Sequence, residues 1–348
     1  NNTWRISKAD FMNKVLKNSW ALFLGMGCIM MAYGFQGSLL GVRAVQEEFS
    51  LTATGFMMSG YFVGYFIGAA TIPNIVSRVG HIRVFAAFAS LASLSALLAA
   101  VYVNPIMWTL SRIITGVSLV SCYIVAESWL NDRATNKNRG QLLSAYMMVI
   151  YFGLAIGMLL LNISKPKDYE PFILVSVLLS VALVPILLTK RPAPKFKKIE
   201  TISIKELYKI SPLGSLSSFF TGIIHAAFFS LISVYATLAK FTLTETSILL
   251  FIATIAGVIG QGPIGYFSDL FDRRKVIVIT TFGSSFLAFI SILTSNDPIQ
   301  NIYYMDEFAF RKIIFFIAVG LYSSLCLPLF SLNLAHTNDF VPKSKFVA

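Results

Sequence analysis

Six side chains that can form hydrogen bonds or change charge lie inside long apolar stretches of the sequence. An ionisable group inside the hydrocarbon of a membrane is costly unless it is paired or hydrated, so it faces a bundle interior or a cavity. A lone polar group there is more often an interhelical hydrogen bond than a ligand contact. We therefore treat the six as candidates for substrate binding or coupling, with structural hydrogen bonding as the alternative. They are Gln36, Arg112, Glu127, Tyr151, His225 and Gln261.

Arg112 and Glu127 lie on one predicted helix, but they are too far apart to form an ion pair. Fifteen residues separate them, which is about 22 Å along an α-helix. Arg112 suits contact with a substrate anion or a part in proton coupling, and its alternative is a structural ion pair or hydrogen bonds to carbonyl groups. Glu127 suits gating or structure more than proton transfer. Among the other four, His225 is the strongest candidate, because imidazole can change charge near neutral pH.

Ten apolar stretches are long enough to cross a membrane as helices, for which about 20 residues are needed. With 56% hydrophobic and 13% charged residues, the chain of 348 residues is too apolar for a soluble protein of this length. Backbone groups inside lipid must pair within each segment, so we predict an all-α membrane protein. The predicted spans are Trp20–Val42, Thr54–Val76, Val84–Val103, Pro105–Leu130, Gln141–Ile163, Phe172–Leu188, Leu213–Leu238, Ser247–Phe267, Val276–Leu293 and Ile313–Leu334.

Basic residues are distributed unevenly over the segments between the spans. When these segments are assigned alternately to two sides, 21 of the 28 Lys and Arg residues share a side with the N-terminus and six lie on the other side. Cytoplasmic loops retain basic residues, so we predict a multi-pass protein of the cytoplasmic (inner) membrane with its N-terminus in the cytoplasm. The same distribution accounts for the net charge of +12, and we expect no binding to nucleic acid.

The sequence divides into two halves that echo each other. Pro73–Arg83 after the second span aligns with Gly265–Lys275 after the eighth at a constant offset of 192, which also pairs Gly68 with Gly260. A second echo relates an Asn-Asp pair after the fourth span to one after the tenth. Parallel halves of this kind are typical of transporters.

These repeats predict three parts in the chain. Residues 1–189 form a six-helix half, residues 190–211 form a basic cytoplasmic linker, and residues 212–348 form a second half with four helices. Because a six-span half predicts a six-span partner, we expect that two helices of an expected twelve are missing.

The segment after the eighth span resembles a loop signature of the major facilitator superfamily, in which a glycine, an aspartate and a basic cluster follow one another. The first-half copy departs from that pattern, with Pro73 in place of glycine, Ser77 in place of aspartate and His81 at an arginine position. On the fourth span, Arg112–Gly116 is similar to the R-x-x-x-G motif of the superfamily.

Other segments are similar to the YcaD-like branch of the superfamily, namely Ala126–Ser128, Arg139–Val149 and Gln261–Gly265. The resemblance implies two parallel, pseudo-repeated six-helix halves and secondary active transport of a small solute by alternating access. It places the binding site near the bilayer midplane, with the first, fourth, seventh and tenth helices lining the cavity.

The resemblance also implies a cytoplasmic gating loop. In the resembled fold the second-half loop lies across the start of the fifth helix, so Asp269, Arg273 and Arg274 would latch the halves together. The alternative is a solvated loop that only sets topology. The gating residues would be Arg78, Gly80, Arg83, Arg139, Gly265, Asp269, Asp272, Arg273 and Arg274.

Gly60, Gly64 and Gly68 lie on one face of the second span at four-residue spacing. Small residues let helix backbones approach closely. We expect this face to form a sliding contact between the halves, and close packing within one half is the alternative.

Other classes of function lack the residues that they need. No H-E-x-x-H or G-x-S-x-G string occurs and the three histidines are scattered, so we predict no enzyme, cofactor or metal site. A non-transporting receptor or scaffold would need a signalling domain or a long tail, which this sequence does not show. We expect a monomer in the lipid bilayer that binds a small-molecule substrate and uses a proton or solute gradient, since no phosphate-binding loop for ATP occurs.

Overall fold

The computed structural model describes residues 8–133, 139–188, 203–295 and 305–340, and it describes side chains within 19–132, 142–188, 203–295 and 310–340. This part of the chain is helical and contains no strand. Its helices are α1 (Lys8–Gln46), α2 (Leu51–Val79), α3 (His81–Val101), α4 (Pro105–Arg133), α5 (Arg139–Leu159), α6 (Glu170–Val181), α7 (Leu183–Leu187), α8 (Ile204–Ile210), α9 (Pro212–Leu238), α10 (Leu243–Leu270), α11 (Arg273–Thr294), α12 (Met305–Cys326) and α13 (Pro328–Asn338).

Ten helical segments of the described residues are long and apolar enough to cross a membrane, which confirms the ten predicted spans. The helices extend past the predicted bounds because polar caps, rather than hydropathy, set their ends. Thr242 and Glu245 form a capping box at the start of α10, and Asp272 caps α11 by accepting a hydrogen bond from the Arg274 backbone N–H at 2.9 Å. Such caps satisfy N–H groups that have no partner within the helix.

Two of the predicted spans contain a helix break that the sequence analysis did not identify. The sixth span consists of α6 and α7, which meet at Ala182, and the tenth consists of α12 and α13, which meet at Leu327. Pro185 lies just past the first break and Pro328 just past the second. Proline has no backbone N–H and its ring crowds the carbonyl group four residues earlier, so the regular helical hydrogen bond is lost.

The chain forms two compact units, residues 1–198 and residues 199–348. In the first unit α1 packs against α5, α2 against α4, and α3 against both α4 and α6. In the second unit α10 and α11 pack against α12, and α9 packs against α13. Helix α8 occupies the end of the segment predicted to be a linker, and the earlier part of that segment lies outside the described residues.

Glycines let the helices of the first unit approach at backbone distance. A Cβ atom on Gly64 would overlap the Ile113 carbonyl oxygen of α4, and one on Gly60 would lie 2.9 Å from the Thr109 carbonyl oxygen. A Cβ atom on Gly68 would also press on α4. The face that was expected to slide against the other half is therefore filled by α4 of the same half. This packing supports the alternative of close packing within one half, and a sliding contact between the halves stays a prediction.

The second unit uses the same device. A Cβ atom on Gly260 of α10 would overlap the Ser324 carbonyl oxygen of α12. Gly260 is the residue that the offset of 192 pairs with Gly68 of α2. The second and fourth spans of the first half and the eighth and tenth spans therefore pack in an equivalent way.

The close approach of α2 and α4 predicts opposite effects for two glycine substitutions in α2. Gly64→Ala should destabilise the protein by about 1–3 kcal/mol, because the new methyl group must push the helices apart. Gly55→Ala is the matched control, since a Cβ atom there meets nothing within 4 Å, and it should gain up to about 1 kcal/mol of helix propensity. Thermal unfolding of the purified variants in detergent measures the difference, and equal stabilities would contradict the packing described.

Candidate functional site

Arg112 lies on α4 in the interior of the first unit, with 2% of its surface exposed. Its guanidinium carbon lies 5.0 Å from the ring centroid of Tyr61 on α2 and 5.9 Å from that of Tyr33 on α1. Nε and Nη1 are fully buried and have no hydrogen-bond partner among the described residues. The two aromatic faces stabilise the cation, but they leave the donors on Nε and Nη1 unsatisfied.

The packing of α2 against α4 helps to position Arg112. A Cβ atom on Gly60 would lie 3.4 Å from the Cβ atom of Arg112, so the absence of a side chain at Gly60 gives the arginine stem its room. The neighbouring face of α2 carries Tyr61, whose ring then covers the guanidinium group. The glycine face predicted from the sequence therefore helps to build the site.

Gln36 lies on α1 with 1% of its surface exposed. Its Oε1 accepts a long hydrogen bond of 3.5 Å from the Thr115 hydroxyl group, and its Nε2 has no partner among the described residues. Both side chains line a small cavity together with Tyr33 and Ser118, in which the centre of a water molecule can occupy about 20 Å³. That is room for one water molecule. Gln36 lies in the interior of the unit, and its partner Thr115 lies about one helical turn along α4 from Arg112.

Glu127 lies near the other end of α4 and is half-buried. It forms no hydrogen bond or ion pair with the residues that the structure describes, and Tyr65, Tyr123 and Tyr146 lie within electrostatic range of it. Tyr151, which is the fourth of the predicted site residues in this unit, lies within the same range of Tyr123.

A group of tyrosines, the tyrosine cluster, connects the surroundings of Arg112 with those of Glu127. The Tyr33 and Tyr61 ring centroids are 5.0 Å apart and those of Tyr61 and Tyr65 are 6.0 Å apart. Each tyrosine offers an aromatic face and a hydroxyl group that can donate and accept. The cluster comprises Tyr33, Tyr61, Tyr65, Tyr123, Tyr146 and Tyr151.

Sequence reasoning identified one member of the tyrosine cluster, Tyr151, and missed the others. The available signal was weak: Tyr61 and Tyr65 are four residues apart and therefore share a face of α2. Their contacts with α1 and α4 depend on how closely these helices approach, which hydropathy does not report.

His225 lies half-buried on α9 of the second unit. Its Nε2 lies 3.0 Å from the carbonyl oxygen of Cys326, which immediately precedes the break between α12 and α13. A carbonyl group only accepts, so Nε2 must carry the proton of this hydrogen bond and Nδ1 remains available in the neutral ring. His225 therefore belongs to the wall where the broken tenth span meets α9.

Gln261 lies on α10 and is half-buried. It lines a wider cavity between α10 and α13, where the centre of a water molecule can occupy about 250 Å³, and Asp269 and Arg273 line the same cavity. Gln261 therefore accompanies the predicted gating loop. Among the described residues, no group of three His, Cys, Asp or Glu side chains could hold a metal ion.

The gating loop of the second unit is organised around Arg273. Its Nη1 donates to both carboxylate oxygens of Asp339, at 3.1 and 3.0 Å, and its Nη2 donates to Asp269 Oδ1 at 3.3 Å. Arg274 lies over the ring of Phe340, with 5.9 Å between the guanidinium carbon and the ring centroid. The loop after the eighth span is thus tied to the end of the tenth. The contact between Arg273 and Asp339 was not predicted from the sequence, in which Asp339 belongs to the repeated Asn-Asp pair after the tenth span.

The first-unit loop makes an equivalent connection with different chemistry. The offset of 192 pairs His81 with Arg273, and His81 Nε2 lies 2.9 Å from the hydroxyl group of Ser128 on α4. Gly80 ends α2 with a φ angle of +91°, a conformation that favours glycine. Arg78 and Arg83 are exposed on either side of this connection.

Three further residues of the predicted gate are placed as follows. Gly265 lies on an open face of α10, where an added Cβ atom would meet nothing within 4 Å. Asp272 is the cap of α11. The side chain of Arg139 lies outside the described residues.

The geometry around Arg273 predicts that its two carboxylate partners differ in strength. Asp269 makes one contact and its side chain is 75% exposed, whereas Asp339 makes two contacts. Asp269→Asn should therefore cost only a few tenths of a kcal/mol and Asp339→Asn about 1 kcal/mol. Thermal unfolding at low and high salt measures both effects, and a larger loss from Asp269→Asn would refute the assignment. The Arg273→Gln, Asp339→Asn double mutant supplies the coupling energy.

Comparison with known proteins places this architecture in a family. A model of the Major Facilitator Superfamily matches residues 22–346. The uncharacterized MFS-type transporter YcaD of Escherichia fergusonii is 25% identical over 263 residues, which cover 75% of this chain and 69% of that protein. YcaD of Escherichia coli O9:H4 is 26% identical over 265 residues, with the same coverage.

Solved structures share the fold at low sequence identity. The nucleoside transporter NupG superposes with a TM-score of 0.74 and 13% identity, covering 94% of this chain and 84% of that chain. The D-xylose-proton symporter superposes with a TM-score of 0.68 and 13% identity, covering 91% and 81%. The family match, the YcaD-like relatives and the ten spans agree with the resemblance found in the sequence. The chain therefore belongs to the Major Facilitator Superfamily, as a multi-pass membrane protein of the secondary transporter class.

Proposed function

We propose that this chain moves a small solute across the cytoplasmic membrane by alternating access and couples that movement to protons. One observation carries the proposal: a single membrane span, α4, holds both Arg112 and Glu127 without an ion-pair partner among the described residues. Unpaired charges in a span are costly, and they are retained where they serve a pathway or a relay.

Glu127 is the proposed proton carrier. A carboxyl group at membrane depth has two states, and only its neutral state is inexpensive in a water-poor surrounding. No described cation holds Glu127 in its charged form, and the hydroxyl groups of Tyr65, Tyr123 and Tyr146 lie within electrostatic reach. Tyrosine hydroxyl groups can donate to the ionised form and accept from the neutral form.

His225 is a second candidate for protonation, in the other unit. Its hydrogen bond to the Cys326 carbonyl group leaves Nδ1 free to accept a proton or a solute donor. The bond is kept whether the ring is neutral or charged, because Nε2 donates in both states. Protonation at Nδ1 would therefore give His225 a positive charge, while its hydrogen bond to Cys326 would still connect α9 to the helix break.

The proposed orientation places the N-terminus and the loops rich in Lys and Arg in the cytoplasm, in accordance with the uneven distribution of basic residues. The gating role of the cytoplasmic loops is also a proposal. It is supported by Asp269, because Arg273 contacts one of its carboxylate oxygens and the side chain is largely exposed. The second oxygen is available to a further donor in another state of the cycle.

The coupling is tested by proton flux in proteoliposomes that contain the full chain and a pH-sensitive dye. Uridine, D-xylose and succinate are the first solutes to add, since nucleoside and sugar transporters share this fold. We expect a transported solute to drive proton movement, and we expect Glu127→Gln to abolish that movement while solute exchange persists. Asp168→Asn, at an exposed loop position, is the control for loss of one acidic charge.

Two results would contradict the coupling proposal. If solute uptake in the wild-type protein did not respond to an imposed pH gradient, protons would not be the coupling ion. If none of the solutes moved and no proton flux arose, a receptor or scaffold with the transporter fold would become the better interpretation.

The gating proposal predicts a change in accessibility for Asp269→Asn. Loss of the carboxylate charge removes an acceptor for the latch, so a single cysteine introduced near the cytoplasmic end of α10 should react faster with a membrane-impermeant thiol reagent. Asp272→Asn serves as a control for the same loop, since it tests a helix cap. Unchanged reactivity together with unchanged transport in Asp269→Asn would leave the loop with a topological role alone.

A further inference from the structure

Two buried arginines of the first unit pack against aromatic rings, and the described residues provide a carboxylate partner for one of them. Arg43 lies 5.1 Å from the ring centroid of Phe172 and 5.8 Å from that of Trp108, and its Nε donates to Glu47 Oε1 at 3.3 Å. Arg112 has the same kind of aromatic packing but no carboxylate partner among the residues that the structure describes. At Arg43, aromatic packing and an ion pair occur together. At Arg112, the described residues supply the aromatic packing alone.

Among the described residues of the first unit, no acidic residue forms an ion pair with Arg112. Glu47 is already paired with Arg43, and Glu127 lies fifteen residues along the same helix, or about 22 Å away. Ser111 and Thr115 donate their hydroxyl protons to the carbonyl oxygens of Ser95 and Ser111, each at 2.9 Å, and neither hydroxyl oxygen accepts a hydrogen bond from Nε or Nη1 of Arg112. The guanidinium group therefore has a charge and two buried donor atoms, Nε and Nη1, with no partner among the described residues.

A group that meets both needs must be anionic and must carry two oxygens in one plane. Carboxylates and phosphate-type oxyanions have this geometry, and a guanidinium group binds them through paired, charge-assisted hydrogen bonds. The faces of Tyr33 and Tyr61 cover the guanidinium group, so they hold its plane while leaving its edge to the ligand. The tyrosine cluster next to it adds hydroxyl groups and aromatic surface for the rest of a solute.

We propose that the transported solute is an organic or inorganic oxyanion and that Arg112 binds its anionic group. This inference rests on the proposed transport function, for which it names the substrate class. Charge neutralisation by the solute also gives a physical reason for the unpaired arginine, because the buried cation becomes compensated when the site is filled.

The test measures binding without transport, using the full chain in nanodiscs and its thermal unfolding as the readout. The probes are benzoate, succinate and inorganic phosphate, with benzamide and succinamide as neutral counterparts of the same shape. At least one oxyanion should raise the unfolding temperature of the wild-type protein, and neither amide should do so. Failure of all three oxyanions, or equal stabilisation by an amide, would overturn the proposal without any variant being made.

Variants then assign the binding to Arg112. Arg112→Gln should weaken the stabilising oxyanion by about tenfold to a hundredfold, because charge-assisted hydrogen bonds are lost. Arg112→Lys should retain part of the binding, since it keeps a point charge and loses the paired geometry, and it serves where Arg112→Gln does not fold. Lys165→Gln removes a positive charge at an exposed position and should bind as the wild type does. Binding that is unaltered in both Arg112 variants would place the anion elsewhere and overturn the assignment.

The inference and the proposed function fail in different ways. Oxyanion binding that depends on Arg112, with no solute movement in proteoliposomes, would leave the anion site in place and remove the transport function. Movement of a neutral solute, with no oxyanion binding, would leave the function in place and remove the inferred substrate class.

Discussion

A positive charge kept inside a lipid-embedded helix bundle, with no acidic partner in the described part of the chain, is the constraint around which the first unit is arranged. The guanidinium group of Arg112 is buried from solvent in this structure, so its surroundings must offset its cost. Two tyrosine rings do part of this. They reach the group because Gly60 and Gly64 allow α2 to lie at backbone distance from α4. Helix packing, aromatic packing and the unpaired charge are thus linked, and a change to any one of them alters the other two.

The two halves solve one structural problem with different side chains. In each half, the loop that follows the second helix is tied to the end of the fourth. Arg273 makes the tie with the carboxylate of Asp339 in the second unit, and His81 makes it with the hydroxyl group of Ser128 in the first. An ion pair at a water-exposed position is weakened by salt, whereas a buried neutral hydrogen bond is not. The internal repeat therefore preserves the contact while its chemistry, and with it the sensitivity of each loop to ionic conditions, differs between the halves.

Hydropathy and the need to satisfy backbone groups in lipid were sufficient to predict the ten spans and the fold class. The orientation of the N-terminus in the membrane stays a prediction. The helix breaks could not be predicted, because proline alone does not decide them: Pro185 accompanies a break, whereas Pro73 lies within the continuous helix α2. The candidate site was predicted in part. Arg112 stands out in a sequence because a charge in an apolar stretch is rare, but the role of Tyr61 depends on contacts between distant segments. Gln261 was grouped with the substrate contacts on its depth alone, and its neighbours in the structure belong to the predicted gate.

The central claim is that the surroundings of Arg112 are exposed in turn to the two sides of the membrane. The most direct measurement is thiol labelling of a single cysteine in place of Tyr33, which is half-buried beside the guanidinium group, after Cys28, Cys122 and Cys326 have been replaced. A membrane-impermeant reagent is applied to right-side-out and to inverted vesicles. The account predicts labelling from both sides, with the ratio shifted by a bound solute. Labelling from one side alone, under every solute and pH condition, would contradict it.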